Sequence, residues 1–451
     1  MRKLIFFFTF FMSLLFFAHA GYVLRGINAT DIGFDNLINY TLTLKNDAPV
    51  AAASMHTSSG GGMGRNSVVI IPADTSVSAT YFPFIIGIED FDIEVRDFHY
   101  YADKDLYVLC GSRQTEFDSI AFVAVIEGDF SQIRYAEYNQ ADIFYSLSVP
   151  NRFRSDYYVC GNSGNLGAIA SIDTNTLDLT NLFYTDNDWE CHKIIEKPVN
   201  SEDALLVISG RNPYCTAIGY TVIDPQFRSG TTYMWGQLSA TSSLSVVCDN
   251  VFDNDFIILA SSYQSSVTLN LIFSLGNPQI GVSNYSFATP NGPYYVQDID
   301  MLDTLISVAG FVISYRNQAW YGSVSILNLG APMVNKFYPE IGGGYTHYKI
   351  RYGNNGETYT GGHFRDDNSN CALFGTPRVS AENCESIHSS SEPIGIPVMW
   401  LAYTVLQQDP NPTFVIDSDS LTPSMSQYVK CEPFRGGKTA PEFAMPSPEN
   451  E

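Results

Sequence analysis

From about residue 38 to residue 404 the chain is written in short runs of apolar, β-branched and aromatic residues, broken by clusters of Gly, Asn, Asp and Pro. INYTLTLK (38–45) and FDIEVRDF (91–98) alternate apolar with polar positions, the period of a strand. VVIIPAD (68–74), AFVAVIE (121–127) and VTLNLIF (267–273) are nearly continuous apolar runs, which suit strands covered on both faces. The whole stretch reads as β-strands.

The runs repeat. DLYVLCG (105–111) returns as DYYVCG (156–161), ALLVISG (204–210), DFIILAS (255–261), TLISVAG (304–310) and ETYTGG (357–362), and VAAASMH (50–56) precedes them. The small residues Gly111, Gly161, Gly210, Ser261, Gly310 and Gly361 fall 49–51 residues apart. One run precedes each phrase and two follow it, as in GAIASID (167–173) and LDLTNLFY (177–184). Four strands per unit of about fifty residues describe a propeller blade. A lone four-stranded sheet leaves both faces uncovered, and stacking units in a ring covers each on its neighbour. The glycine ending the second strand is expected at a turn needing positive φ or at a close backbone approach. A pair of β-sandwiches would explain the strands but not the period.

On these residues the chain resembles the seven-bladed β-propeller superfamily, in particular secreted bacterial repeat proteins in which a "YV-G" strand precedes a "GAIASID"-like strand. The resemblance implies an all-β fold, a seven-bladed β-propeller of four-stranded antiparallel blades within residues 21–404. It implies no activity, and the WD dipeptide signature is absent. Either VMWLAYT (398–404) or GYVLRGI (21–27) supplies the fourth strand of the last blade. Residues 378–396 read as an insertion, and 405–451 as an extension that starts on the propeller and ends in disorder.

The first twenty residues change where this fold is expected to work. Arg2 and Lys3 precede a largely apolar run from Leu4 to Phe17, and Ala18-His19-Ala20 offers small residues for cleavage. This is the layout of a signal peptide for residues 1–20, and the run is short of the ~20 residues that span a bilayer. The expectation is an exported chain (secreted, periplasmic or on the cell surface) cut near Ala20, with no transmembrane segment in the mature part. With 24 basic against 47 acidic residues, a nucleic-acid partner is not expected. The chain is read as an acidic monomer whose partner is a protein or a glycan.

Candidate chemistry gathers where second strands end. Arg113, Arg211 and Arg365 follow the repeated phrase in their units, so they could ring one opening and hold an anion, or each could pair with an acidic neighbour such as Glu116, Asp366 or Asp367. Trp189 between Asp188 and Glu190 offers an indole face flanked by carboxylates, a pattern suited to sugars. His56, His347 and His363 would approach one another if the first and last units met, and zinc takes histidine nitrogens at about 2 Å, although no short ligand spacing supports it. Asp366–Asn370 lacks the glycine of a calcium loop, since Cys371 follows. No cofactor is predicted. Export permits disulfides, with Cys191–Cys215 and Cys371–Cys384 as candidate pairs, whereas Cys110 and Cys160 read as buried thiols. No nucleophile or phosphate-loop motif occurs, so the reading favours a secreted binding module using the loop face. The alternatives are a carbohydrate-active hydrolase or lyase with acidic residues at the axial mouth, and a structural cell-surface component.

Overall fold

The structure, a computed structural model, describes residues 92–114, 118–150, 155–187 and 345–354 without a break and, elsewhere, the strands named below together with Asn46. It is all-β and built from antiparallel sheets. The first unit comprises β2 (Asn36–Lys45), β3 (Ala48–His56), β4 (Asn66–Pro72) and β5 (Phe84–Gly87), preceded by β1 (Val23–Asn28). The second comprises β6 (Asp92–Tyr101), β7 (Leu106–Gln114), β8 (Ser119–Glu127) and β9 (Ile133–Tyr138). The third comprises β10 (Ile143–Ser148), β11 (Tyr157–Ser163), β12 (Leu166–Ile172) and β13 (Leu179–Asn187). The fourth holds β14 (Trp189–Val199), β15 (Glu202–Arg211), β16 (Ala217–Ile223) and β17 (Gly230–Gly236). The fifth holds β18 (Leu244–Asp249), β19 (Phe256–Tyr263), β20 (Ser266–Phe273) and β21 (Val282–Ala288). The sixth holds β22 (Tyr294–Leu302), β23 (Leu305–Ile313), β24 (Trp320–Asn328) and β25 (Met333–Tyr338). Then come β26 (Tyr345–Tyr352), β27 (Thr358–Phe364) and β28 (Asn370–Thr376).

These last three strands take their fourth partner from the other end of the chain. β1 pairs antiparallel with β28, from Val23 opposite Gly375 to Asn28 opposite Asn370. Of the two segments that could supply this strand, the N-terminal one does so. The later segment, β30 (Leu401–Gln408), instead bridges β13 and β17 and so joins the third and fourth units into one sheet. The insertion contributes β29 (Ile387–Ser391) to the outer edge of β25. The C-terminal extension contributes β31 (Asp419–Leu421) beside β5 and β32 (Gln427–Cys431) beside β1. Residues 1–20 and the end of the extension lie outside the described residues.

Burial explains the continuous apolar runs. In β7 every residue except Gln114 is buried. Leu106, Val108 and Cys110 pack with Val123 and Val125 against Tyr157, Val159, Ala168 and Ala170 of the third unit. The intervening Tyr107 and Leu109 pack with Phe122, Ala124 and Ile126 against Val50, Ala52, Val68 and Ile70 of the first. One strand therefore feeds two cores, one on each face. Each fully buried large side chain in such a layer is worth about 1.5–3 kcal/mol. Across the next boundary Tyr158, Cys160, Ile169 and Phe183 meet Cys191 and Ile194.

The repeated glycine has a specific job. β6 shifts register between Val95 and Asp97, and Gly111 stands opposite Val95 at that bulge. A Cβ on Gly111 would lie 1.8 Å from the carbonyl oxygen of Glu94, and one on Gly161 would lie 1.8 Å from that of Ile143. The glycine is thus a notch for the bulged strand next to it. The expected close approach is present, but no turn: both glycines lie inside their strands, and among the described glycines positive φ occurs at Gly164. The register also moves the equivalent position in two units. Ser209 faces Cys191 at the β14 bulge, and Gly362 faces His347 at the β26 bulge, rather than Gly210 and Gly361.

Candidate functional site at the meeting of the first strands

The first strand of each unit packs against the first strand of the next, in the order β2, β6, β10, β14, β18, β22, β26, and β26 packs against β2. Bulges in β6, β10, β14, β22 and β26 place Asp97, Ser146, Lys193, Asp298 and Lys349 at equivalent register positions. Residues two further along share their face of the strand. This layer therefore continues with His99, Asp300 and Arg351.

A hydrogen bond of one kind recurs between neighbouring first strands. The main-chain N–H of Leu147 donates to Asp97 Oδ2 at 3.1 Å, that of Ile194 to Ser146 Oγ at 3.3 Å, and that of Ile350 to Asp298 Oδ2 at 3.1 Å. One layer along, Tyr100 N–H donates to Thr43 Oγ1 at 3.1 Å and Tyr352 N–H to Asp300 Oδ2 at 2.7 Å. Each first strand is an edge of its sheet, so alternate main-chain donors along it have no partner in their own ladder. An acceptor side chain on the preceding unit takes such a donor, which spares a buried polar group the cost of lost hydration. Chain distances of 48 to 57 residues separate these partners.

Asp97 is the busiest acceptor. Its side chain is fully buried and lies 3.3 Å from Lys193 Nζ and 3.9 Å from Lys349 Nζ. Ser146 Oγ also donates to it at 2.9 Å, and His99 Nε2 lies 3.2 Å away. Burial pushes its carboxyl up, but Lys193, His99 and Lys349 outweigh burial and hold it well below the usual carboxylate range. Arg351 Nη1 meets Asp298 Oδ2 at 2.5 Å, and here too burial raises the carboxyl while Arg351 and Lys349 bring it down. Asp300, with less compensation for its burial, is pushed up to about 6. Burial lowers Lys349 and His99, against the opposing pull of the nearby aspartates.

The bulged residues themselves form a second layer. The Arg96 guanidinium lies 6.0 Å from the Tyr145 ring centre, and Tyr145 stacks on His192 at 5.9 Å. Arg96 Nη2 donates to Glu94 at 2.7 Å, and His192 Nε2 lies 3.8 Å from Glu190. Burial brings the His192 ring down to about 4, so it is neutral at pH 7.

The residues singled out from sequence sit in several places. Arg113 is buried inside the second unit, where Nε and Nη2 clasp both carboxylate oxygens of Glu137 at 2.5 and 2.7 Å, and Tyr135 donates to the same carboxylate at 3.0 Å. Glu137 is thus an acid that holds the guanidinium, and Glu116 falls outside the described residues. Arg211 ends β15 opposite Trp189, the first residue of β14, and Glu190 follows beside His192. His56 ends β3, and His347 and His363 lie on adjoining strands, each one residue out of register with the other. Cys371 stands opposite His363 on β28. Arg365, Asp188, Cys215 and Cys384 fall outside the described residues.

Cys191 is a correction. It is a free, fully buried thiol, packed with Cys160 and Ile194 between the third and fourth units, so the bridge to Cys215 is not formed. Burial pushes its thiol up, which disfavours the thiolate that disulfide exchange needs. Cys110 and Cys160 are buried free thiols, as expected. Sequence reading missed the first-strand layer altogether. Its signal was present as charged residues in alternate positions of apolar strands: Asp97-x-His99, Asp298-x-Asp300 and Lys349-x-Arg351.

Neither a protein-family model nor a curated protein sequence matches the chain. Among solved structures, similarity extends to the Dos1 propeller, at 9% identity and a TM-score of 0.40 over 77% of this chain and 94% of that one. It extends also to Sqt1 from Chaetomium thermophilum, at 7% identity and a TM-score of 0.44 over 87% of this chain and 99% of that one. A further Sqt1 structure, bound to the N-terminus of the ribosomal protein L10, is 8% identical with a TM-score of 0.40 over 75% and 99% of the two chains.

Proposed function

We propose that the chain closes as a seven-bladed β-propeller and works as an exported binding module, its partner docking on the face where second strands turn into third strands. The packing of β26 on β2, with β1 completing the last unit, carries the propeller reading. The module reading draws on the central carboxylates. Asp97 and Asp298 are held ionised by neighbouring cations and accept main-chain N–H groups from the next unit, so they serve as fasteners. The bound partner is a protein or a glycan, and the signal-like first twenty residues support export.

The test is paired surface changes on the whole mature chain. Substitutions in the β7–β8 connection (115–118) and, as control, in the β8–β9 turn (128–132) on the opposite face are compared for retention of partners from envelope extract and on a glycan array. Loss confined to the 115–118 variants supports the reading. Equal retention by both sets, or turnover of a polysaccharide by the purified protein, overturns it.

A further inference from the structure

Three cations converge where the first strands meet, and their hydrogen-bonding capacity is mostly unspent. Lys193 and Lys349 approach the two oxygens of one carboxylate, Asp97 Oδ2 and Oδ1, from two different units. Among the described residues the Lys193 ammonium makes one hydrogen bond, at 3.3 Å. Lys349 stands 3.9 Å from its nearest carboxylate oxygen, beyond hydrogen-bond reach, and its ammonium makes no hydrogen bond among the described residues. Arg351, two positions along the same face of β26, spends Nη1 on Asp298 and on the carbonyl of Ile350, and leaves Nε and Nη2 without a bond among the described residues.

The acids around them are in the opposite condition. Asp97 Oδ2 takes donors from Ser146, Leu147, His99 and Lys193, and its Oδ1 takes the N–H of Phe98. Asp298 Oδ2 takes Ile350 and Arg351, and Asp300 takes Tyr352. The carboxylates are crowded with donors while the cations keep donors to spare. The three cationic side chains also retain 15, 16 and 18% of their exposure, whereas Asp97 and Asp298 retain 0 and 3%. Asp300 beside Arg351 is partly exposed, so a small entering molecule meets the N–H groups of the three cations with that one carboxyl next to them.

We propose that Lys193, Lys349 and Arg351 form a binding site for a small oxyanion, a carboxylate, sulfate or phosphate group, held by the ammonium of Lys349 and the free edge of the Arg351 guanidinium. A guanidinium edge matches two oxygens of such a group, and an ammonium adds a point charge with three donors. The anion would supply Lys349 with the acceptors it lacks, and the lowered affinity of Lys349 for its proton would recover on binding. The site is distinct from the anion ring expected of Arg113, Arg211 and Arg365, and does not rest on the docking face proposed above.

The test is isothermal titration of the whole mature chain at pH 7 with sulfate, phosphate and acetate, each at fixed ionic strength. Saturable binding by the wild type is expected, weakened at least tenfold in Lys349→Met, retained within about threefold in Lys349→Arg, and unaffected by Lys104→Met, a change at an exposed lysine. Tighter response to acetate assigns a carboxylate source, such as an acidic side chain, and tighter response to sulfate or phosphate assigns a free inorganic ion. Absence of saturable binding by the wild type overturns the proposal. So does unchanged affinity in a Lys349→Met protein that keeps a native near-ultraviolet dichroism spectrum. Should that variant not fold, Lys193→Met serves in its place under the same criteria.

Discussion

Asp97 on β6 accepts the main-chain N–H of Leu147 on β10, fifty residues later in the chain, at 3.1 Å. The separation equals one repeat, so a single side chain ties a unit to its successor. Removing it strands the Leu147 donor and uncovers Lys193 together. We expect Asp97→Ala to cost about 3–5 kcal/mol of stability, as for breaking a buried ion pair from one side. Asp97→Asn, which still accepts from Leu147, should cost clearly less. Urea unfolding of the two variants measures the difference, and equal losses would refute the role given to the hydrogen bond.

Gly111→Ala and Gly161→Ala should be far more damaging than Gly164→Ala. The first two place a methyl 1.8 Å from a main-chain oxygen, whereas Gly164 has φ +56° and nothing within 4 Å of an added Cβ. Alanine at position 164 then costs roughly 1 kcal/mol of left-handed strain. At 111 or 161 the neighbouring bulge must move, which costs at least about 3 kcal/mol, in the range reserved for severe packing faults. Thermal unfolding of the three variants ranks them.

The Arg113–Glu137 pair should behave as a unit. Both side chains are nearly buried, at 9 and 4% exposure. Arg113→Met alone or Glu137→Gln alone breaks a buried ion pair from one side, at a cost of about 3–5 kcal/mol. The double variant should regain much of that loss. A double-mutant cycle by denaturant unfolding gives the coupling, and strictly additive losses would argue against a closed pair.

Stability should carry opposing pH signatures at the centre. Asp300 is raised to about 6 when folded, against about 3.9 for a free aspartate. Its contribution is fully present below about pH 4 and is lost as pH rises through about 6. Asp300→Asn should therefore gain stability over the wild type by about 1–3 kcal/mol above pH 6 and match it below pH 4. Asp97 and Asp298 are depressed, so their contribution is present above about pH 4 and is lost as pH falls through their folded values. Stability curves of the wild type and Asp300→Asn against pH separate the two effects.

The repeat was legible in the sequence because a small residue faces the first-strand bulge, with Gly111, Gly161 and Gly310 there in the second, third and sixth units. Apolar runs likewise revealed strands covered on both faces. Ser209 and Gly362 escaped exact placement because register, not spelling, decides which small residue meets the bulge. The central cluster was unreadable for a different reason. Asp97 and Lys193 are 96 residues apart, and nothing in either local stretch says that they touch. Arg113 shows the same limit on a smaller scale: the Glu137 that clasps it lies across the sheet on β9. Two segments were equally eligible to finish the last sheet, since a fourth strand's pattern is common to both.

The β1–β28 pairing makes a seam of that last sheet, because its two strands lie far apart in the chain. The four core strands of each other unit lie within about fifty residues of one another, but this unit takes its fourth from far upstream. A protease cut, a pulling force or a bulky tag that frees residues 23–28 would act there first, and would unzip the molecule from its junction rather than from any of its complete sheets.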